Sequence, residues 1–252
     1  MIETRNHGDI LEIQLARPPV NALNPGLVVS LTEALREAQA QYDAIVLSGL
    51  PGIFSAGLDV VELKALDRET MRGFWTDFLS LLETIACSPV PVAAAITGHS
   101  PAGGAVISLM VDYRVMSHGK YKIGLNETRV GLVIPPLLHN AVARLTGPRA
   151  AERLVVGGEL IDPEHALQAG FVDALETGFE ETIQNAVQWC EGLLALPRST
   201  MLGNRAFARA QYQQDFARLN EASLEIFLDS WFSEEAQQVM NELIARLKGK
   251  KS

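Results

Sequence analysis

The chain has 252 residues, 48% hydrophobic and 20% charged, with 30 Asp and Glu against 21 Lys and Arg for a formal net charge of −9. This composition excludes wholesale disorder and fibrous architectures, and it allows one large domain, or a domain with a helical appendage, that buries most of its apolar surface. Basic residues are scattered apart from a short tail of Lys248, Lys250 and Lys251, so no nucleic-acid partner is expected. No apolar run reaches bilayer length, so no membrane partner is expected either. Met1 to Arg5 lacks the charged-then-apolar order of a secretion signal, and a cytoplasmic location is the expectation. Cys87 and Cys190 stand far apart, without a His or second Cys at ligand spacing. They read as two reduced core thiols, and no metal is expected.

In chain order, Ile10 to Leu15 alternates apolar and polar residues as a half-buried strand should, Leu27 to Tyr42 has helical periodicity, and Asp43 to Ser48 reads as an apolar strand. A second cycle follows: helix from Thr70 to Ser88, strand from Pro91 to Ile96, small-residue helix from Ala102 to Val111, strand from Tyr113 to Ser117. The pattern predicts an α/β fold of stacked units. Beyond Gly178 it turns to helices only, over Glu180 to Leu196, Arg198 to Ala210, Asp215 to Asp229 and Ser233 to Lys248. Residues 1–177 are therefore expected to form the binding core and 178–252 a helical assembly region.

Gly and Pro concentrate at Gly49 to Gly57, Gly98 to Gly104 and Gly124 to Pro136, which makes these loops the candidate functional segments. Phe54-Ser55-Ala56-Gly57-Leu58-Asp59-Val60 joins a strand to a helix start whose N–H groups lack intrahelical partners, so they can face a developing negative charge. An ordinary loop in which Asp59 only caps the helix reads equally well from these residues. Gly98-His99-Ser100-Pro101-Ala102-Gly103-Gly104-Ala105 repeats the design, and tight packing of a buried helix is its alternative. His99 reads as structural. Ile123 to Leu132 places Glu127 in apolar, Gly-bounded surroundings, where burial makes a carboxylate a better proton acceptor. Pairing of Glu127 with Arg129, or a capping role, is the other reading. No G-x-G-x-x-G follows a first strand, which leaves a nicotinamide enzyme without support.

Together these segments resemble the crotonase superfamily, also called the enoyl-CoA hydratase/isomerase family, over nearly the whole chain. Arg17-Pro18-Pro19-Val20-Asn21-Ala22-Leu23 is similar to the family's early loop, Ser55 to Asp59 to its first oxyanion-hole loop, and Gly98 to Gly104 to its second. The resemblance implies a spiral of repeated ββα units with a helical C-terminal region that supports homotrimers, often paired into hexamers. It implies an acyl-CoA substrate and no cofactor beyond the CoA carried by that substrate. The oxyanion donors would be the N–H groups of Leu58 and Gly103. Ala56, Gly57, Leu58, Asp59, Val60, Gly103 and Asn126 would contact substrate, with Glu127 as the proton-transfer base. Phe74, Phe78, Leu132, Ile134 and Leu138 would help form the acyl pocket.

Hydratases of this family carry two glutamates, and the first of those positions is Val106 here. Loss of one carboxylate favours a double-bond shift over hydration. The phrases Ser100 to Gly104 and Gly124 to Thr128 are similar to those of the mitochondrial-type 3,2-enoyl-CoA isomerases, which implies conversion of 3-enoyl-CoA to trans-2-enoyl-CoA in fatty acid β-oxidation. Hydration, another crotonase-type reaction, or acyl-CoA binding without catalysis are the alternatives.

Overall fold

The computed structural model describes residues 1–249, so the basic tail read at Lys248, Lys250 and Lys251 lies at and beyond the end of the described residues. The chain begins with strands β1 (Ile2–His7) and β2 (Ile10–Leu15), crosses helix α1 (Pro25–Gln41), and then repeats a cycle of long strand, short strand and helix. The first cycle is β3 (Ala44–Ser48), β4 (Gly52–Ile53), α2 (Val60–Leu63) and α3 (Arg68–Ala86). The second is β5 (Val92–Ile96), β6 (Gly98–Pro101) and α4 (Gly103–Leu109). The third is β7 (Tyr113–Ser117), β8 (Ile123–Gly124), a 3₁₀ turn over Glu127–Val130, and α5 (Pro136–Thr146). After α6 (Pro148–Gly157), α7 (Pro163–Gln168) and β9 (Ala174–Glu176) come four helices: α8 (Phe179–Leu194), α9 (Arg198–Ala217), α10 (Glu221–Trp231) and α11 (Glu234–Gly249).

The long strands form a six-stranded sheet in the order β1-β2-β3-β5-β7-β9, parallel except at the β1–β2 hairpin. The short strands β4, β6 and β8 form a second, three-stranded parallel sheet. Each cycle thus contributes one strand to each sheet before its helix, which is the expected ββα spiral.

Parallel strands buried on both faces need continuous apolar sequence, and β3 and β5 have it. Ile45, Leu47, Val92, Ala94 and Ile96 face the core under α1 and α3. Ala44, Val46, Ala93 and Ala95 face the opposite way, against Ile183, Ala186, Val187 and Cys190 of α8. The first helix after the proposed core boundary therefore covers the back of the sheet.

That cover corrects one sequence expectation: β2 is not half exposed. Glu12 is 1% exposed beneath it, held by Ser48 Oγ at 2.6 Å and His7 Nε2 at 3.0 Å. Two helix boundaries also differ. The third C-terminal helix begins at Glu221, where Asn220 accepts a hydrogen bond from Ser223 N–H, and Asp215 belongs to α9 instead. The α9 helix runs on to Ala217 because Tyr212 and Phe216 pack into the core.

Asn21 ties the early loop to the first cycle. It is fully buried with φ of 49°, donates through Nδ2 to Leu15 O at 2.9 Å and Phe54 O at 3.0 Å, and accepts from Arg17 N–H at 2.8 Å. Asn tolerates this left-handed backbone better than most residues. Replacing it with Ala strands three buried polar groups, so Asn21→Ala is expected to cost about 2–4 kcal/mol in denaturant unfolding. An unchanged unfolding midpoint would contradict that role.

Candidate functional site

The turn after β4 and the turn after β6 meet directly. Gly57 has φ of 85°, a conformation that suits glycine, and a Cβ built on it would lie 2.9 Å from Ala102 Cβ and 3.1 Å from the Gly103 nitrogen. A Cβ on Gly103 would lie 3.3 Å from Gly57 Cα and 3.5 Å from the Leu58 nitrogen. The two backbones touch with no side chain between them. Ala102 itself adopts φ of 48° and ψ of −124°, an uncommon backbone for a residue with a Cβ.

Neighbouring amides in these turns are engaged. Gly57 N–H donates to Ser55 Oγ, Asp59 N–H to Leu23 O, Ala56 N–H to Val20 O, and Ala102 N–H to Gly124 O at 2.8 Å. Neither Leu58 N–H nor Gly103 N–H finds an acceptor among the described residues. Leu58 is half-buried and Gly103 is buried at the first position of α4. Two adjacent, fixed, unpaired N–H groups can hold one developing negative charge.

Asp59 performs the capping role considered for it, accepting from Glu62 N–H at the start of α2, and it also pairs with Arg17 at 2.8 Å. Val60 begins that helix. The Asp59–Arg17 pair, with Arg17 Nη1 donating to Ala22 O, fastens the early loop to the Leu58 turn. His99 is structural: its Nδ1 accepts from Lys122 N–H at 3.1 Å, and its ring meets Tyr121 edge-on.

The third segment is joined to the second loop through β6–β8 pairing, Ser100 opposite Ile123 and Pro101 opposite Gly124. From β8 the chain enters the 3₁₀ turn that carries Glu127. Among the described residues, Glu127 Oε2 is shielded from solvent without a hydrogen-bond partner, and so is Oδ1 of Asn126. Burial pushes the Glu127 carboxyl up to about 7, opposed only by a hydrogen bond from its own backbone N–H. Pairing with Arg129 does not occur, because Arg129 Nε donates to Gly158 O at 2.6 Å. Thr128 Oγ1 donates to Val155 O at 2.9 Å, so flanking side chains anchor the turn to the α6 region.

Of the five suggested pocket residues, Phe74, Phe78, Leu132 and Leu138 are buried and Ile134 packs partly buried against the same core. The sequence reading missed the aromatic neighbours Trp75 and Phe227, whose rings stack with centroids 3.6 Å apart, and Trp231 beside Phe227. Phe227 and Trp231 come from α10, and no local signal ties that helix to α3. The ion pairs that do so, Arg68 and Arg72 with Glu221, Glu225 and Asp229, are visible only once both helices are placed. Val106, 2% exposed, lies one turn into α4.

The sequence profile described as enoyl-CoA hydratase/isomerase matches residues 5–249. The chain belongs to the enoyl-CoA hydratase/isomerase family. It is an enzyme of the crotonase superfamily. The human "Enoyl-CoA delta isomerase 1, mitochondrial" is 30% identical over 259 residues, covering all of this chain and 84% of that protein. The crystal structure of human mitochondrial delta3-delta2-enoyl-CoA isomerase superposes with a TM-score of 0.93 at 28% identity, covering 100% of this chain and 99% of that one. A probable enoyl-CoA hydratase of Mycobacterium avium is 32% identical over 207 residues, covering 79% of this chain and 77% of that protein. Identity alone therefore does not separate isomerase from hydratase, and the site residues must.

The raised carboxyl of Glu127 has a stability consequence whose sign is fixed. Its folded value of about 7 lies above the ordinary 4.5, so the neutral form is favoured in the fold. The stabilisation is fully present below pH 4.5 and is lost as pH rises through 7. Glu127→Gln is therefore expected to stabilise the protein at pH 8, by on the order of 2 kcal/mol, and to have little effect at pH 4.5. Thermal unfolding of both proteins across that range checks it, and a destabilised variant at pH 8 would contradict a desolvated, unpaired carboxylate.

Proposed function

We propose that this enzyme shifts the double bond of a 3-enoyl-CoA to give trans-2-enoyl-CoA, with Glu127 as its single proton carrier. The observation that carries the reading is the solvent-shielded, unpaired Glu127 carboxylate on the segment hydrogen-bonded to the Gly103 loop, with apolar Val106 at the other candidate position.

In a 3-enoyl thioester the C2 proton is acidified by both the carbonyl and the alkene. The Glu127 carboxylate removes it, and the electron pair delocalises into a dienolate whose oxygen takes the N–H groups of Leu58 and Gly103. Each such donor contributes roughly 3 kcal/mol to the transition state. The resulting Glu127 carboxylic acid returns the same proton at C4, the C2–C3 double bond forms, and the carbonyl is restored. A group near pKa 7 suits both halves, since it is basic enough to take the proton and acidic enough to return it. One carboxylate and two amides supply every proton and charge this shift needs, so no cofactor beyond the substrate's own CoA enters.

In this reading Ala56, Gly57, Leu58, Asp59, Val60, Gly103 and Asn126 contact the thioester. Hydration requires a second group to orient water, and Val106 has no atom for it. The homotrimer or hexamer implied by the resemblance belongs to the same proposal.

With 3-hexenoyl-CoA, the enzyme is expected to produce the conjugated thioester, followed by its absorbance. Glu127→Gln should lower kcat about 10³-fold with KM nearly unchanged. The kcat/KM profile should fall below a pH of about 7, where Glu127 takes up its proton. Faster hydration of 2-hexenoyl-CoA than isomerisation of the 3-enoyl ester would replace this reading with a hydratase.

A further inference from the structure

Helix α4 presents the Gly103 amide at one end, and its other end poses a separate problem. Each of its seven residues is buried, and none is charged. Its last carbonyls have no intrahelical partners and no route to water, so side chains from elsewhere must satisfy them. Most of those side chains come from α9, about a hundred residues later, while Arg114 Nη1 also donates to Val111 O at 3.1 Å.

Tyr212 Oη donates to Leu109 O at 2.8 Å. Arg209 divides its guanidinium among three carbonyls: Nη2 donates to Met110 O, Nη1 to Val111 O at 3.1 Å, and Nε to Ala86 O at 3.1 Å, at the end of α3. Both side chains are buried, Arg209 7% and Tyr212 3% exposed. The Arg209 charge is met by Asp112 at 3.1 Å, which also takes Arg205 on both carboxylate oxygens, at 3.0 and 2.8 Å. Asp112 Oδ2 further accepts from Val92 N–H at 2.9 Å, at the head of the strand that leads into the Gly98–Gly104 loop. The Tyr212 ring is fixed between guanidinium groups, Arg209 at 4.9 Å and Arg144 at 5.4 Å from its centroid.

We propose that Arg209 and Tyr212 are positioning residues for the Gly103 N–H, acting through the C-terminal end of α4. The proposal rests on the oxyanion reading given above. From Gly103 to Leu109 the helix rises only about 9 Å, so an axial slip or tilt at one end appears at the other. At its first turn α4 is secured by Ala102 N–H to Gly124 O, and at its last by the α9 clamp. A donor aimed at a developing oxyanion works only over a narrow range of distance and angle, so a helix loosened at its far end loses transition-state binding before it loses substrate. Neither clamp residue needs to touch the acyl chain for this effect.

The test uses the full-length protein with Tyr212→Phe, Arg209→Lys and Arg209→Met. Two readouts are taken: kcat and KM for 3-hexenoyl-CoA, and the infrared carbonyl band of bound hexanoyl-CoA labelled with ¹³C at the thioester carbon. Wild-type protein should shift that band to lower wavenumber. Tyr212→Phe should bind hexanoyl-CoA with near wild-type affinity, give a smaller shift and a broader band, and lower kcat about tenfold with KM little changed. Arg209→Lys should retain more of both signals than Arg209→Met. Should Arg209→Met fail to fold, Tyr212→Phe removes a single hydroxyl and carries the test alone. A folded Tyr212→Phe with wild-type band position and wild-type kcat overturns the proposal. A wild-type band that does not shift at all removes the oxyanion reading itself, and this proposal with it.

Discussion

The structure depends on one close approach: two strand-to-helix turns, at Gly57 and Gly103, pressed together until their backbones touch. Any side chain at either glycine would enter space already held by Ala102, Leu23 or the facing main chain. The surrounding chain is arranged to maintain that approach. Asn21 binds Phe54 O behind the first turn, Ser55 Oγ donates to Asn21 O at 2.8 Å, and Ala102 keeps its uncommon backbone because its N–H is held by Gly124 O. Strain of this kind persists only where neighbouring contacts over-determine it. The result is a pair of N–H groups that are adjacent and find no acceptor among the described residues.

Desolvation of Glu127 depends on where its neighbours send their polar groups. Had Arg129 turned toward Glu127, the ion pair would have stabilised the charged carboxylate and held it low. The Arg129 side chain instead crosses to Gly158 O, and Thr128 crosses to Val155 O, so the 3₁₀ turn is anchored without a cation beside its carboxylate. Gly131, just after the turn, lies so close to α11 that a Cβ there would come 3.0 Å from Ala236 Cα. Helices α6 and α11, both later in the chain, thus pack against the turn. Burial and the absence of a charged partner act in the same sense, and together they set the carboxyl near neutrality.

The parts legible in the sequence were those written in local periodicity and glycine placement. The apolar runs in Asp43 to Ser48 and Pro91 to Ile96 read as strands, and the repeated strand, glycine loop and helix predicted two related turns. Asp59, read as a possible helix cap, accepts the Glu62 N–H. Long-range partners were not legible. The exposure expected for β2 failed because α8, some 170 residues later, covers that face and buries Glu12 with its partners. Whether Glu127 would pair with Arg129 was undecidable locally, since Gly158 is brought to Arg129 by tertiary packing alone. Helices α5 to α7 lie in a stretch punctuated by Pro136, Pro148 and Pro163, each of which opens a helix at its first turn instead of breaking one. The α9 clamp was not legible: Tyr212 lay beyond the expected end of the helix at Ala210, and the clamp's targets are four carbonyls contributed by other segments.

In the proposed mechanism the two amides and the carboxylate divide the chemistry unequally. A fixed pair of N–H groups stabilises any thioester enolate, whatever happens next to its carbon skeleton, so it defines a class of reactions and not one member. The number and placement of groups that can carry a proton or orient water then decide the member. Val106 stands three residues after Gly103, one turn along the same face of α4. Valine there contributes a methyl surface and no lone pair. A single proton carrier with a value near neutrality can return what it takes but cannot also activate water. On this reading the reaction is selected by what position 106 lacks, and the efficiency by how firmly α4 is held at both ends.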